Sequence, residues 1–209
     1  MAFCLSSQKC VNDLFIPSGV KMVDPPKSKF LNYPVDYEAT YAWQPPPQGW
    51  MKLNVDGSCL GNPGPASAGG LLRDSSSNWV IGFGLNIGET SILNAEIIGI
   101  LVGLQLVWSM GFRRVIVESD SLKAVRLITE EDISFHPLGD YIQDCRTLLN
   151  LDWQCTLSHV YRQRNYSADS LAKQSHDLKP EELKIWYSPP WKVIHFLNKD
   201  RLGIGFKRH

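Results

Sequence analysis

The stretch "LNVDGSCLGNPGPASAGGLLRD", Leu53 to Asp74, decides how the rest of the chain is read. Leu53 and Val55 alternate with Asn54, the period of a strand that buries one face. Asp56 closes that run. Gly, Ser, Asn and Pro residues follow, and a second apolar run begins at Ala68. Taken alone, Asp56-Gly57 reads as a turn, because both residues tolerate positive φ. The other reading is that Asp56 is aimed at a ligand, which requires partners from elsewhere in the chain.

Working outward, "AGGLLRDSSSNWVIGFGLNIG" reads as two strands joined by the turn Ser75–Asn78. "SILNAEIIGILVGLQLVWSMG" is a long helix closed by Gly111. Its apolar residues run nearly all round, which predicts burial, with Gly99 and Gly103 allowing close backbone contact. A short buried strand, "RRVIVESD", comes next, then helices in "SLKAVRLIT" and "PLGDYIQDCRTLLN", a strand in "DWQCTLSHV" and a final helix in "NYSADSLAKQSHD". Three strands in sequence can form an antiparallel meander. The two that arrive through helical crossovers should pair in parallel. The expected fold is α/β, a mixed five-stranded sheet with helices on both faces. The domain is expected over 49–178. Residues 1–48 read as a Pro-rich linker or disordered extension, and 179–209 as a C-terminal extension whose Trp186, Trp191 and Phe196 should pack somewhere.

The chain of 209 residues suits one domain plus extensions. Its 21 basic and 21 acidic residues cancel, which argues against a high-affinity, nonspecific nucleic-acid binder but not against a local grip. Five scattered cysteines with no C-x-x-C pair indicate neither a zinc site nor a disulfide framework. A reducing compartment follows, nucleus or cytoplasm, with organellar targeting left open. The longest apolar run, Ile97 to Trp108, falls short of the ~20 residues of a membrane span. No membrane partner is expected, and the protein reads as a monomer.

Four acids fall at the tips of these elements. Asp56 and Asp120 end strands that could be neighbours, Glu96 opens the apolar helix, and Asp169 lies in the first turn of the last one. Each has an ordinary explanation. Glu96 and Asp169 could answer a helix N-terminus, and Asp120 could cap the helix beginning at Ser121. The set is harder to explain that way, because clustered carboxylates repel unless cations compensate. Oxygen ligands of this kind select Mg²⁺ or Mn²⁺.

"DGSCLGNPGP" followed by "AGGLLRD" resembles the opening of type I ribonuclease H. "NAEIIGILVGLQLV" is similar to that family's glutamate helix, "VIVESDS" to its third acidic strand, and "HVYRQRNYSADSLA" to its final loop and helix. The resemblance runs from Trp50 to Lys173 in the family's order. It is closest to plant forms derived from retroelement reverse transcriptases. It implies a ribonuclease H-like sheet and hydrolysis of the RNA strand of an RNA/DNA hybrid. Two Mg²⁺ ions, or Mn²⁺ in their place, would be held by Asp56, Glu96, Asp120 and Asp169, with Asp56 between them. His159 has the spacing of the family's loop histidine, which assists proton transfer or product release; it could equally be no more than the end of a strand. The implied substrate contacts are Gly57, Ser58, Cys59, Gly61 and Asn62, then Asn94, Ser121, Arg162, Arg164 and Asn165. Arg73 and Lys123 are further local cations. Asn62 could read a ribose 2′-hydroxyl.

Two departures stand out. Where many members carry a basic, Trp-rich handle, this chain has "LITEEDISFHPLGDYIQD", and Leu122 replaces a polar residue. A tethering protein is therefore an expected partner. The alternative function is a domesticated module, catalytically weak or inactive, that binds nucleic acid or protein.

Overall fold

The computed structural model describes residues 42–205. Alternation sets β1 (Met51–Cys59), which buries Leu53 and Val55 on one face. β2 (Gly64–Arg73) and β3 (Trp79–Thr90) continue it as an antiparallel meander. The β2–β3 turn is the serine-rich one: the Asp74 carboxylate accepts from the Ser76 and Asn78 N–H groups at 2.8 Å, and Ser77 takes φ 64°. The helix α1 (Ile92–Ser109) leads to β4 (Arg114–Ser119), parallel to β1. Then α2 (Leu122–Thr129) and α3 (Gly139–Leu149) lead to β5 (Gln154–His159), parallel to β4. α4 (Tyr166–Gln174) follows.

The sheet has six strands, not five. β6 (Leu183–Trp186) pairs antiparallel with β3, giving the order β5-β4-β1-β2-β3-β6. A four-residue strand between Pro180 and Pro189 is too short for its period to show in sequence. After it, α5 (Trp191–Arg201) buries Val193 with Leu71 and Leu171. Trp186 joins that cluster and Phe196 lies 6.0 Å from Tyr166, whereas Trp191 is exposed. The expected N-terminal linker falls mostly on residues 1–41, outside the described ones, but Ala42 and Trp43 are buried.

Helices cover both faces. α1, α2 and α3 pack Ile97, Ile100, Leu104, Leu127 and Ile142 onto Leu53, Val55, Val115 and Val117. By length and composition α1 could cross a bilayer, but 11 of its 18 residues are buried in this core. α4 and α5 lie on the opposite face.

Asp56 and Gly57 do not form a turn. β1 runs on to Cys59, with Asp56 opposite Gly69. The reversal comes at Leu60–Pro63, where Gly61 takes φ 95° and the Asn62–Pro63 bond is cis. Gly57 serves close approach instead. A Cβ there would sit 2.6 Å from the Glu96 nitrogen and 2.8 Å from the Ala95 carbonyl carbon. Both are helix backbone and cannot rotate aside. Gly57→Ala should therefore lift α1 from the sheet at a cost of roughly 3 kcal/mol. A melting temperature lowered by about 10 °C is the expected reading; a shift under about 2 °C would refute the packing argument.

Candidate metal centre

The parallel β1–β4 ladder ends at Val55 opposite Ser119. Asp56, further along β1, and Asp120, just past the end of β4, are the next residues, so topology brings them together. Glu96 reaches them from α1. One carboxylate oxygen from each of the three lies within 4.8 Å of the others. Asp56 and Glu96 are buried.

α1 starts four residues before Glu96, and Ser91 caps it, its hydroxyl accepting from the Asn94 N–H at 3.3 Å. Glu96 is therefore outside the first turn, and its carboxylate accepts the Gly57 N–H at 3.1 Å. Ser121 caps α2, accepting from the Ala124 N–H at 3.4 Å. Asp120 is not the cap; it accepts from the Asn165 amide at 3.2 Å. Asp169 does sit in the first turn of α4. It stands apart from the trio, held by Arg162 at 3.1 Å and by Lys173, one helical turn on, at 2.7 Å.

Burial, then the charges of Glu96, Asp120 and Asp169, hold the Asp56 carboxyl well above the usual carboxylate range. Burial and the neighbouring Asp120 push Glu96 up to about 8, against the pull of the Gly57 N–H. Without a cation, the folded protein thus binds protons here more tightly than the unfolded chain. The stability these protons confer is complete below the unfolded values near 4 and is lost as pH rises through about 8. Between pH 5 and 8 in chelator the loss should be on the order of 4 kcal/mol, seen as a melting temperature falling by about 10 °C. Saturating Mg²⁺ needs the ionised carboxylates and should flatten or reverse that slope. A flat profile in chelator would refute the crowding.

The other expected residues are dispersed around this trio. Asn62 is exposed and its side-chain oxygen accepts the Ile92 N–H at 3.0 Å, bracing α1. The Asn94 amide donates to Thr90 Oγ1 at 2.8 Å. The Cys59 thiol lies 3.3 Å from the Thr90 carbonyl. Arg162 and Arg164 lie on a 3₁₀ turn before α4, and Asn165 is fully buried behind it. His159 is exposed at the end of β5, its ring edge-on to Tyr161 at 6.1 Å. Leu122 and Lys123 are exposed. Arg73 is no surface cation: it is buried and paired with Asp200 at 2.6 Å.

Two residues escaped the sequence reading. Lys173 is legible in hindsight from the i,i+4 spacing to Asp169. His176, whose Nε2 lies 3.0 Å from Ser58 Oγ, left no sequence signal because the two are 118 positions apart.

Residues 54–175 match the profile of the reverse transcriptase-like family. An archaeal ribonuclease HI from Halobacterium salinarum is 31% identical over 143 residues, covering 67% of this chain and 71% of that protein. The chain belongs to the ribonuclease H family. A ribonuclease H protein of Arabidopsis thaliana is 41% identical over 141 residues, 68% of this chain but 23% of its own length. The chain thus spans about a quarter of that plant relative. The crystal structure of ribonuclease H1 from Halobacterium salinarum aligns with a TM-score of 0.58 and 28% identity, over 61% of this chain and 98% of the archaeal one. The mixed α/β sheet is therefore the ribonuclease H fold, and the acid trio sits on the family-matched segment. Trp43, Lys52, β6 and α5 lie outside it.

Proposed function

We propose that the chain hydrolyses the RNA strand of RNA/DNA hybrids, using Mg²⁺, or Mn²⁺ in its place, in a two-ion site. The convergence of Asp56, Glu96 and Asp120 within 4.8 Å carries the reading. Crowded, proton-hungry carboxylates fit a hard divalent cation, because an all-oxygen donor set of high charge density is what such ions select. When bound, the ions would polarise the scissile phosphate and lower the pKa of an attacking water.

The chain's own residues supply the rest. Asp56 is central, on a rigid strand. The Gly57 N–H holds Glu96, and Asn165 holds Asp120, so both carboxylates keep one orientation. Asp169 would complete the set by turning from Arg162 and Lys173, which leaves these two cations beside the substrate's phosphates. His159, exposed at the end of β5 opposite Ser119, would move a proton at its imidazole. The exposed Gly61–Pro63 turn would meet the RNA backbone, where Asn62 still offers its amide N–H₂ to a ribose hydroxyl. With Glu130, Glu131 and Asp132 on the loop after α2, grip on long hybrids would rest on few phosphate contacts and benefit from a tethering protein.

The test is the full chain with a hybrid labelled on its RNA strand. Mg²⁺ or Mn²⁺ should yield internal cuts leaving 5′-phosphate and 3′-hydroxyl ends, none in chelator and none on single-stranded RNA. Failure to cut at any divalent metal concentration would reject the proposal.

A further inference from the structure

β1 alternates, but its polar face is not wet. Lys52 and Asn54 are buried, and polar or charged partners reach them from β2, β4 and the lead-in. Lys52 pairs with Glu118 at 2.6 Å. Arg73 pairs with Asp200 of α5 at 2.6 Å, and Ser167 donates to the same oxygen at 2.9 Å. The Arg73 guanidinium stacks 3.6 Å from the centre of the Trp43 ring. Two cations and two anions thus balance inside the protein, joined through one neutral side chain, Asn54.

The bonds of Asn54 are directional. Its side-chain oxygen accepts from Trp43 Nε1 and from Arg73 Nη2, each at 2.8 Å. Its amide nitrogen donates to Glu118 at 3.0 Å and to the Asn165 oxygen at 3.4 Å. Rotating that amide by half a turn would oppose N–H₂ to two donors and oxygen to two acceptors, so only one orientation is satisfied. Asn165 inherits its polarity. With its oxygen turned to Asn54, its nitrogen must face the other way, where it donates to the Val55 carbonyl at 2.9 Å and to Asp120 at 3.2 Å. Those two bonds fix the backbone one residue before Asp56 and the carboxylate of Asp120. Asn165 also leads directly into α4, the helix that carries Asp169.

We propose that Trp43 and Asp200, both outside the family-matched segment, are positioning residues for the metal centre, acting through Arg73, Asn54 and Asn165 on Asp120. The inference rests on the reading of Asp120 as a metal ligand. It makes the lead-in and the C-terminal helix working parts of the site. Residues that orient a metal ligand typically change metal affinity by 10- to 100-fold when removed. Trp43 lies two steps and Asp200 three steps beyond Asn165 along the relay, so their effects should be smaller, about 3- to 10-fold.

The experiment is calorimetric titration of the full chain with Mn²⁺ alone, beside the melting temperature in chelator. Asp200→Asn keeps the shape of the side chain and removes the charge that anchors Arg73. Trp43→Phe keeps a ring under Arg73 and removes one N–H donor. Val193→Ala is the control: it weakens the same helix, α5, by packing loss and touches none of the polar bonds. The expected result is Mn²⁺ binding weakened about 5- to 10-fold in Asp200→Asn and about 3-fold in Trp43→Phe, and unchanged in Val193→Ala at a comparable drop in melting temperature. Should Asp200→Asn fail to fold, Trp43→Phe against Val193→Ala decides the matter by the same comparison. Affinities of the two relay variants within 1.5-fold of the parent, or a loss in Val193→Ala as large as theirs, would overturn the proposal. A parent chain that binds no Mn²⁺ would overturn the metal-centre reading along with it; a parent that binds while the variants match it overturns the relay alone.

Discussion

Asp56→Asn should abolish hybrid cleavage and, in the same preparation, raise the melting temperature of the metal-free protein. The two effects have one cause. Asp56 is buried against Glu96 and Asp120, and its ionised form is opposed by burial and by both neighbours. An isosteric amide keeps the packing and deletes one crowded charge, so the apo fold should gain a few degrees at pH 8. The same charge is what a divalent cation would need. Its loss should cost about 10³-fold or more in turnover, the scale of removing a group that stabilises developing charge, and should erase the melting-temperature rise on adding Mg²⁺. Paired thermal scans with and without Mg²⁺, plus a cleavage assay, read all three. A variant that cuts at the parent's rate, or that melts lower than the parent in chelator, would remove Asp56 from the centre.

How much of this was legible depended on whether the signal was local. The α1 helix announced itself through apolar residues on nearly every side, and β4 through Val115-Ile116-Val117 between charged residues. Helical crossovers then dictated parallel pairing, which put Asp56 beside Asp120. Asp56-Gly57 allowed two readings because glycine has two uses. The turn statistics register its tolerance of positive φ, whereas here it is the missing Cβ that matters, letting α1 come down on the strand. The burial of Lys52 and Asn54 was not legible either. Polar residues at alternate positions usually mark a solvated face, yet here Glu118, Arg73 and Asp200 travel in with them as partners. No window of sequence contains that information, since Arg73 and Asp200 are 127 positions apart. Asp169 was legible as an acid at a helix start. Its engagement by Arg162 and Lys173 was not, because side-chain pairing on a turn depends on rotamers that composition does not specify.

The same buried charges predict what the tail does for the fold. A chain ending at Leu178, where sequence pattern alone would end the domain, loses β6 and α5. The β3 edge from Gly82 to Leu85 loses its partner strand, and Trp186 and Val193 leave the cluster around Leu71. Arg73, 1% exposed, keeps its place under Trp43 but loses Asp200, its ion-pair partner. Breaking a buried pair by removing one member costs about 3–5 kcal/mol, because the remaining charge stays desolvated. Losing two large side chains from a small core adds roughly 2–5 kcal/mol. Domains of this size have about 5–15 kcal/mol of stability in all, so the shortened chain should unfold or associate through its bare β3 edge. Size-exclusion chromatography and circular dichroism of the shortened and full chains make the comparison. The charge contribution can be isolated by adding Arg73→Met to the shortened chain, which replaces the stranded guanidinium with an apolar side chain of similar length. That combination should be more soluble and better folded than the truncation alone, an inversion expected only if the unpaired charge is a main cause of the instability. A shortened chain that runs as a monomer and melts within a few degrees of the full protein would show that the sheet closes without its sixth strand and that Arg73 finds another way to be neutralised.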